Sequence, residues 1–412
     1  MQESAERAAA GGFQRHARNV SLLTMVSRLT GLGRDAALSR VFGAGPLMDA
    51  FFFAFMIPNL FRRLFGEGAL AAAFLPEYTH LHETQPRIAR QMATLTVSRM
   101  ITLLGVVTLV GELVLYGLLS SGAQGTTALQ LMMIMLPYMP LVCLVAILGA
   151  MLQVHGRFGP TAAAPVILNL TIIGTACGLP WIFDALNASR DATPEAAELA
   201  HVRHIIWVAI AVVCAGCVQV IWSMLALRRT PWWTRDTGTE ARDSFRRVVQ
   251  QAVPMMIGLG VLQLNTLIDG LIASYPTTVG PTIFGADYPL EEGAMSAVSF
   301  AQRLYQFPLG VFGIAVATAI FPALARLRHD DAGYRSTLRR GLRLVFFIAA
   351  PASVGLIWSR RPNVPWKPSD RQIYMNSISD LLSAGFFLTK SRISKNFSPP
   401  ITSRNSTSTS LR

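Results

Sequence analysis

Residues 27–78 read SRLTGLGRDAALSRVFGAGPLMDAFFFAFMIPNLFRRLFGEGALAAAFLPEY. The arginines and acids inside these apolar runs take their meaning from the surrounding solvent, and the rest of the chain identifies that solvent. Of its 412 residues, 52% are hydrophobic and 14% are charged; mean hydropathy is +0.41. About a quarter of an ordinary soluble domain is charged. A net charge of +13 would suit nucleic acid only as a basic face on a soluble fold. Here the arginines occupy short connectors between apolar runs, so we expect a basic-loop membrane protein and no nucleic-acid partner.

A spanning helix needs about 20 mostly apolar residues. Residues 101–119, 129–154, 161–183 and 205–227 qualify with Glu112 as their one charge; 248–275 contains Asp269, 294–325 contains Arg303, and 341–358 is short. Two charge-bearing helices, 20–42 and 48–65, bring the expectation to nine spans. Between them, basic connectors (86–99, 228–247, 326–343) alternate with neutral or acidic ones (120–128, 276–293). Lys and Arg accumulate on the cytoplasmic side, which places the N-terminus in the cytoplasm. The polar segment 1–19 has no apolar core ending in a small-residue cleavage site, so no cleavable signal peptide is expected. Cys143, Cys177, Cys214 and Cys217 all lie in apolar segments, and the pair in VCAGCV reads as small residues packing in a membrane helix, with no metal site expected.

The tail changes character. Every lysine (Lys367, Lys390, Lys395) falls after residue 358, where serine also becomes abundant. We read 359–412 as out of frame, with a genuine polar tail as the alternative.

An ionisable residue at the bilayer centre costs at least ~2.5–3.5 kcal/mol, so it faces a partner or a hydrated cavity. The first helix carries Arg28, Arg34, Asp35 and Arg40. Arg28 and Asp35 share a face but lie about 10 Å apart along the axis, too far to pair. Two plainer readings are an interfacial helix with snorkelling arginines and an Arg34–Asp35 pair at a helix end. The next segment has an acid at its entry (Asp49), a Pro58 break, and then Arg62, Arg63 and Glu67; Arg63 and Glu67, at i and i+4, suit a structural pair. Two such helices in succession point to a shared aqueous cavity, and Arg303, deep in a distant span, supports it. Arg303 could instead find a carboxylate in Asp269. Asp269 with Asn265, one turn earlier, is either a monovalent-cation site or a polar contact. Guanidinium groups hold phosphate bidentately and keep their charge, so Arg28, Arg34, Arg62 and Arg303 together suit a pyrophosphate headgroup. No phosphate-binding loop, zinc spacing or Ser/His/Asp arrangement marks an enzyme, and no cofactor is expected. His155, in a connector, reads as interfacial.

Four stretches, LTMVSRLTGLGRDAALSRVFGAG, MDAFFFAFMIPNLFRRLFGEGALAAAFLPEY, LPYMPLVCLVAILGAMLQVHGRFGPTAAAPVILNL and SFAQRLYQFPLGVFGIAVATAIFPALAR, resemble the MurJ (MviN) lipid II flippases of the multidrug/oligosaccharidyl-lipid/polysaccharide exporter superfamily. The resemblance implies an all-α, polytopic helix bundle of 14 helices in two lobes, of which about nine are expected here: a first lobe (20–228), a basic connector (229–247) and a partial second lobe (248–358). It implies alternating access around a cationic cavity in the bacterial inner membrane. The cargo would be undecaprenyl-pyrophosphate-linked muropeptide (lipid II), with membrane lipid and the cell-wall machinery as partners. By motif position the family's cavity residues fall on Arg28, Arg34, Asp49, Arg62 and Arg303, with Asp35 beside Arg34. The alternatives are an exporter of polysaccharide-linked lipid or drugs from the same superfamily, and an inactive remnant.

Overall fold

Backbone that crosses hydrocarbon must satisfy its own N–H and C=O groups, and helix dominates this chain. The computed structural model describes residues 2–359 apart from 67, 123–124, 187–193, 309–315, 317–319, 321–323, 325–326 and 328–329. The tail expected to be out of frame therefore lies, from residue 360, outside the described residues.

Helix α1 (Gln2–Phe42) takes in the polar segment 1–19 as well as the first expected span. Helix α2 (Pro46–Phe61) starts with proline in its first turn, where the missing N–H costs nothing. It runs into a π-helical turn, Arg62–Gly66, and α3 (Ala69–Thr84) follows. A Cβ on Gly68 would run into the carbonyl oxygen of Arg63, so only glycine fits that junction.

The next elements are α4 (Pro86–Ser120), α5 (Thr126–Met135), α6 (Tyr138–Val154), α7 (Gly159–Leu186), α8 (Pro194–Leu227) and α9 (Thr239–Thr278). The expected span 129–154 is broken at Leu136–Pro137, where proline has no N–H to bond back into the preceding turn. A small antiparallel hairpin, β1 (Thr282–Ile283) with β2 (Ala286–Asp287), precedes α10 (Ala294–Pro308); α11 is Asp331–Ser359.

Among the described residues five stretches are long and apolar enough to cross a membrane: Pro86–Ser120, Thr126–Val154, Gly159–Leu179, Glu198–Leu227 and Thr239–Thr278. They contain all or most of five of the nine expected spans. The other four fall on α1, on α2 with its π turn, on α10 and on α11, which are charged or short; part of 294–325 lies outside the described residues.

Residues 1–349 form one compact unit, and the described part of a second, 350–359, is the end of α11. Within the first unit α1 lies along α7, α7 and α6 along α8, and α2 against α5, while α9 runs beside α3, α2 and α4. Lipid tails are as apolar as leucine, so close packing rather than water exclusion holds such helices together. Phe51, Phe55 and Tyr138 stack in series at 6.1 Å spacings, and α8 reaches Tyr138 because residue 216 is glycine: a Cβ there would sit 2.7 Å from the ring. The outer face of α4, with Leu109, Leu113 and Tyr116 more than half exposed, is left for lipid.

The basic connector is shorter than 229–247, since α9 begins at Thr239. What remains is docked on α4. Thr94 Oγ1 takes the Thr234 N–H at 3.0 Å, and Asp236 accepts from Arg87 (3.0 Å) and Gln91 (3.2 Å).

Candidate functional site

Helix α1 lies along α7, and a Cβ on Gly31 would stand 3.4 Å from Asn169 Nδ2 and one on Gly33 3.8 Å from Ile173 Cδ1. At that contact Arg34 and Asp35 are only 5% and 4% exposed, which removes the reading of α1 as an interfacial helix. Asp35 Oδ1 accepts from Arg34 Nε at 2.8 Å and Nη2 at 2.6 Å, and Asp35 Oδ2 is ion-paired with Arg303 Nε at 3.0 Å. The carboxylate on α1 thus holds one arginine of its own helix and another from α10. Arg303 does not use Asp269. That residue sits on the exposed face of α9, hydrogen-bonded to Asn265 at 3.2 Å. Among the described residues no group of three or more metal-ligating side chains is gathered, there or elsewhere.

Beside this pair lies a cavity of about 800 Å³ lined by Arg28, Arg34, Arg62, Arg63 and Arg303. Its neutral polar wall includes Ser27, Asn59, Gln153, Asn169 and Gln219, and Phe55 and Tyr138 give it an aromatic side. No Asp or Glu is among its described lining residues. Arg62 projects from the π-helical turn, with Nε bonded to Asn59 Oδ1 at 3.2 Å; such bulges recur at functional sites because they re-aim side chains. Arg34 also stands 6.0 Å from the centroid of the Phe55 ring. Five guanidiniums lining one pocket, two of them paired with Asp35, carry the charge and the donors that would attract an anion. The pairing expected of Arg63 with Glu67 falls on a residue outside the described ones.

Asp49 is not among the lining residues. Completely buried, it accepts the Gly293 N–H (2.6 Å), the Ser296 N–H (2.7 Å), the Ser296 hydroxyl and, at 3.3 Å, the Thr277 hydroxyl. It therefore caps the start of α10 from another helix and meets the positive end of the helix dipole. Its position beside the charged motifs gave no sign of this, because the donors lie more than 220 residues away.

Asn169 and Gln219 were not singled out from the sequence. Each is a polar residue in the middle of an otherwise apolar span, which is the signal that could have found them.

His155 caps the end of α6 and is not among the described lining residues of the cavity. Its Nε2 lies 3.3 Å from the Tyr78 hydroxyl, and its ring meets His82 edge-on at 4.6 Å. Burial pushes its pKa below the ordinary 6.5, with nearby His82 and Arg157 adding to the effect. In the tautomer with Nε2 unprotonated, the neutral ring accepts a hydrogen bond from the Tyr78 hydroxyl. On acidification the unfolded chain takes up a proton first, so His155's contribution is whole above pH 6.5 and declines as pH falls below it. Thermal melts between about pH 7.5 and 5.5 should show a drop that His155→Phe reduces. An unchanged drop would remove this residue from the pH response.

Comparison with known proteins follows the same lines. The family described as lipid II flippase MurJ matches residues 38–364. A probable lipid II flippase MurJ of Vibrio cholerae is 34% identical over 368 residues, covering 83% of this chain and 63% of that protein. The lipid II flippase MurJ of Burkholderia cenocepacia is 30% identical over 360 residues, with coverages of 83% and 63%. A solved structure, lipid II flippase MurJ in an inward closed conformation, superposes with a TM-score of 0.61 at 22% identity, covering 82% of this chain and 65% of that one. The chain thus spans a little under two thirds of the length of each, and the structural likeness supports the same membrane helix-bundle fold.

Proposed function

The chain belongs to the MurJ family of lipid II flippases, and from that premise we propose that it binds an undecaprenyl-pyrophosphate-linked muropeptide and carries it across the bacterial inner membrane. One observation carries the reading: five arginines from α1, α10 and the π-helical turn line one cavity, and Asp35, which pairs with Arg34 and Arg303, is not among its described lining residues. A pyrophosphate offers bidentate acceptors on both of its phosphates and remains anionic at physiological pH, which matches guanidinium chemistry. Movement follows by alternating access, in which helical units rock around a central site. The chain acts as a transporter, with no covalent step assigned to it. A cationic cavity disfavours export of cationic drugs.

Transport is tested by growth. A bacterium depleted of its own lipid II flippase should regain growth when this chain is expressed. A chain that reaches the membrane and restores no growth would contradict the transport reading. The N-terminus lies in the cytoplasm, an orientation supported by connector charge. In a background lacking Cys143, Cys177, Cys214 and Cys217, single cysteines in 228–238 should be protected from an external reagent and those in 276–293 labelled; the reverse would invert the orientation.

A further inference from the structure

Arginines on flexible stems do not by themselves make a specific anion site, because each guanidinium must be held in one plane. Arg34 is held from two sides. Asp35 takes its Nε and Nη2 protons, and Asn169 Oδ1, on α7, accepts from Nη1 at 3.2 Å. The Asn169 amide is itself fixed: Nδ2 donates to the Ser27 carbonyl and to Thr30 Oγ1, both at 3.2 Å. Thr30 in turn donates its hydroxyl proton to the same carbonyl at 3.0 Å, leaving its oxygen free to accept. Turning the amide over would set its NH2 against the guanidinium and its oxygen against a carbonyl, so the three contacts allow one orientation. Asn169 is only 5% exposed.

We propose that Asn169 is a positioning residue for anion recognition, acting through Arg34 by fixing the plane in which that guanidinium faces the cavity. Arginine carries five N–H donors. Three are engaged by Asp35 and Asn169, and the remaining two are what Arg34 offers a ligand. The inference rests on the reading of the cavity as a pyrophosphate site. Its ligand chemistry is the pyrophosphate group, whether lipid-linked or free.

The test is a double-mutant cycle on the full purified chain in detergent, titrated with inorganic pyrophosphate. Asn169→Ala should weaken binding about tenfold, while adding it to Arg34→Ala should cost nothing more. That non-additivity is a readout that a general packing role would not give. Asn169→Asp, almost the same size, guards against a folding defect. It keeps an acceptor for Arg34 but adds a charge that competes with the ligand, so its loss should exceed that of Asn169→Ala. Equal losses in the wild-type and Arg34→Ala backgrounds would make Asn169 a direct or unrelated contributor and overturn the proposal. Wild-type affinity in Asn169→Asp would also overturn it. If the wild-type chain and Arg28→Ala alike fail to bind pyrophosphate, the cavity reading falls and takes this one with it. If wild type binds and Arg28→Ala does not, the Asn169 result bears on Asn169 alone.

Discussion

Arg28→Ala should leave a normally inserted helical protein whose hold on a pyrophosphate-linked lipid is about ten- to a hundred-fold weaker. Among the described residues Arg28 forms no ion pair, so its removal strands no internal carboxylate. Taking an ionisable group out of a membrane helix also lowers the cost of inserting that helix. What is lost is one charged donor at the cavity. Hydrogen bonds to charged groups contribute about 1.5–3 kcal/mol, which sets the expected loss in affinity. Arg28→Lys keeps the charge without the planar fork and should fall between the two. The check is lipid binding beside expression and thermal melting. An Arg28→Ala protein that binds within about twofold of wild type would remove Arg28 from the site.

Asp49→Ala should act in the opposite sense, on the fold first and on binding second. The carboxylate is fully buried and takes protons from two backbone amides and two hydroxyls. Alanine would leave the Gly293 and Ser296 N–H groups unpaired at the start of α10. A buried donor left without a partner costs about 1–3 kcal/mol, so a loss on the order of 3 kcal/mol or more is expected for the pair. Asp49 also joins α2 to α9 through Thr277. Loosening this junction frees α10, and with it Arg303, ten residues further along. Asp49→Asn keeps one carbonyl acceptor and should recover part of the stability. Unfolding in detergent is the measurement. A melting temperature for Asp49→Ala equal to that of wild type would show that α10 is capped by other means.

These two residues mark where the sequence was legible and where it was not. Five of the apolar runs could be read as spans because hydropathy is a local property. The arginines could be read as a cavity because a charge in an apolar helix demands an explanation wherever its partner lies. Pairing was a different matter. Arg303 could have met Asp269, 34 residues away, yet it meets Asp35, 268 residues away; only the docking of α10 beside α1 decides between them. Asp49 was grouped with the arginines by motif position, yet its oxygens cap a helix. The break at Pro137 follows from a proline that the reading of 129–154 as one span passed over, whereas the π-helical turn that presents Arg62 left no mark in the hydropathy pattern. Asn169 escaped notice because a single amide in an apolar helix costs far less than a charge and so raises a weaker question.

The arginine cavity as the seat of headgroup recognition can be measured by competition. The purified chain, carrying a fluorescent pyrophosphate-linked lipid, is titrated separately with inorganic pyrophosphate and with undecaprenol, the lipid tail without its phosphates. Pyrophosphate should displace the probe, less effectively as salt rises, because guanidinium–phosphate attraction is screened, and undecaprenol should leave the probe in place at the same concentrations. Displacement by undecaprenol, with pyrophosphate inert at every salt concentration, would mean that the chain holds its lipid by the tail and that the five arginines do not hold its headgroup.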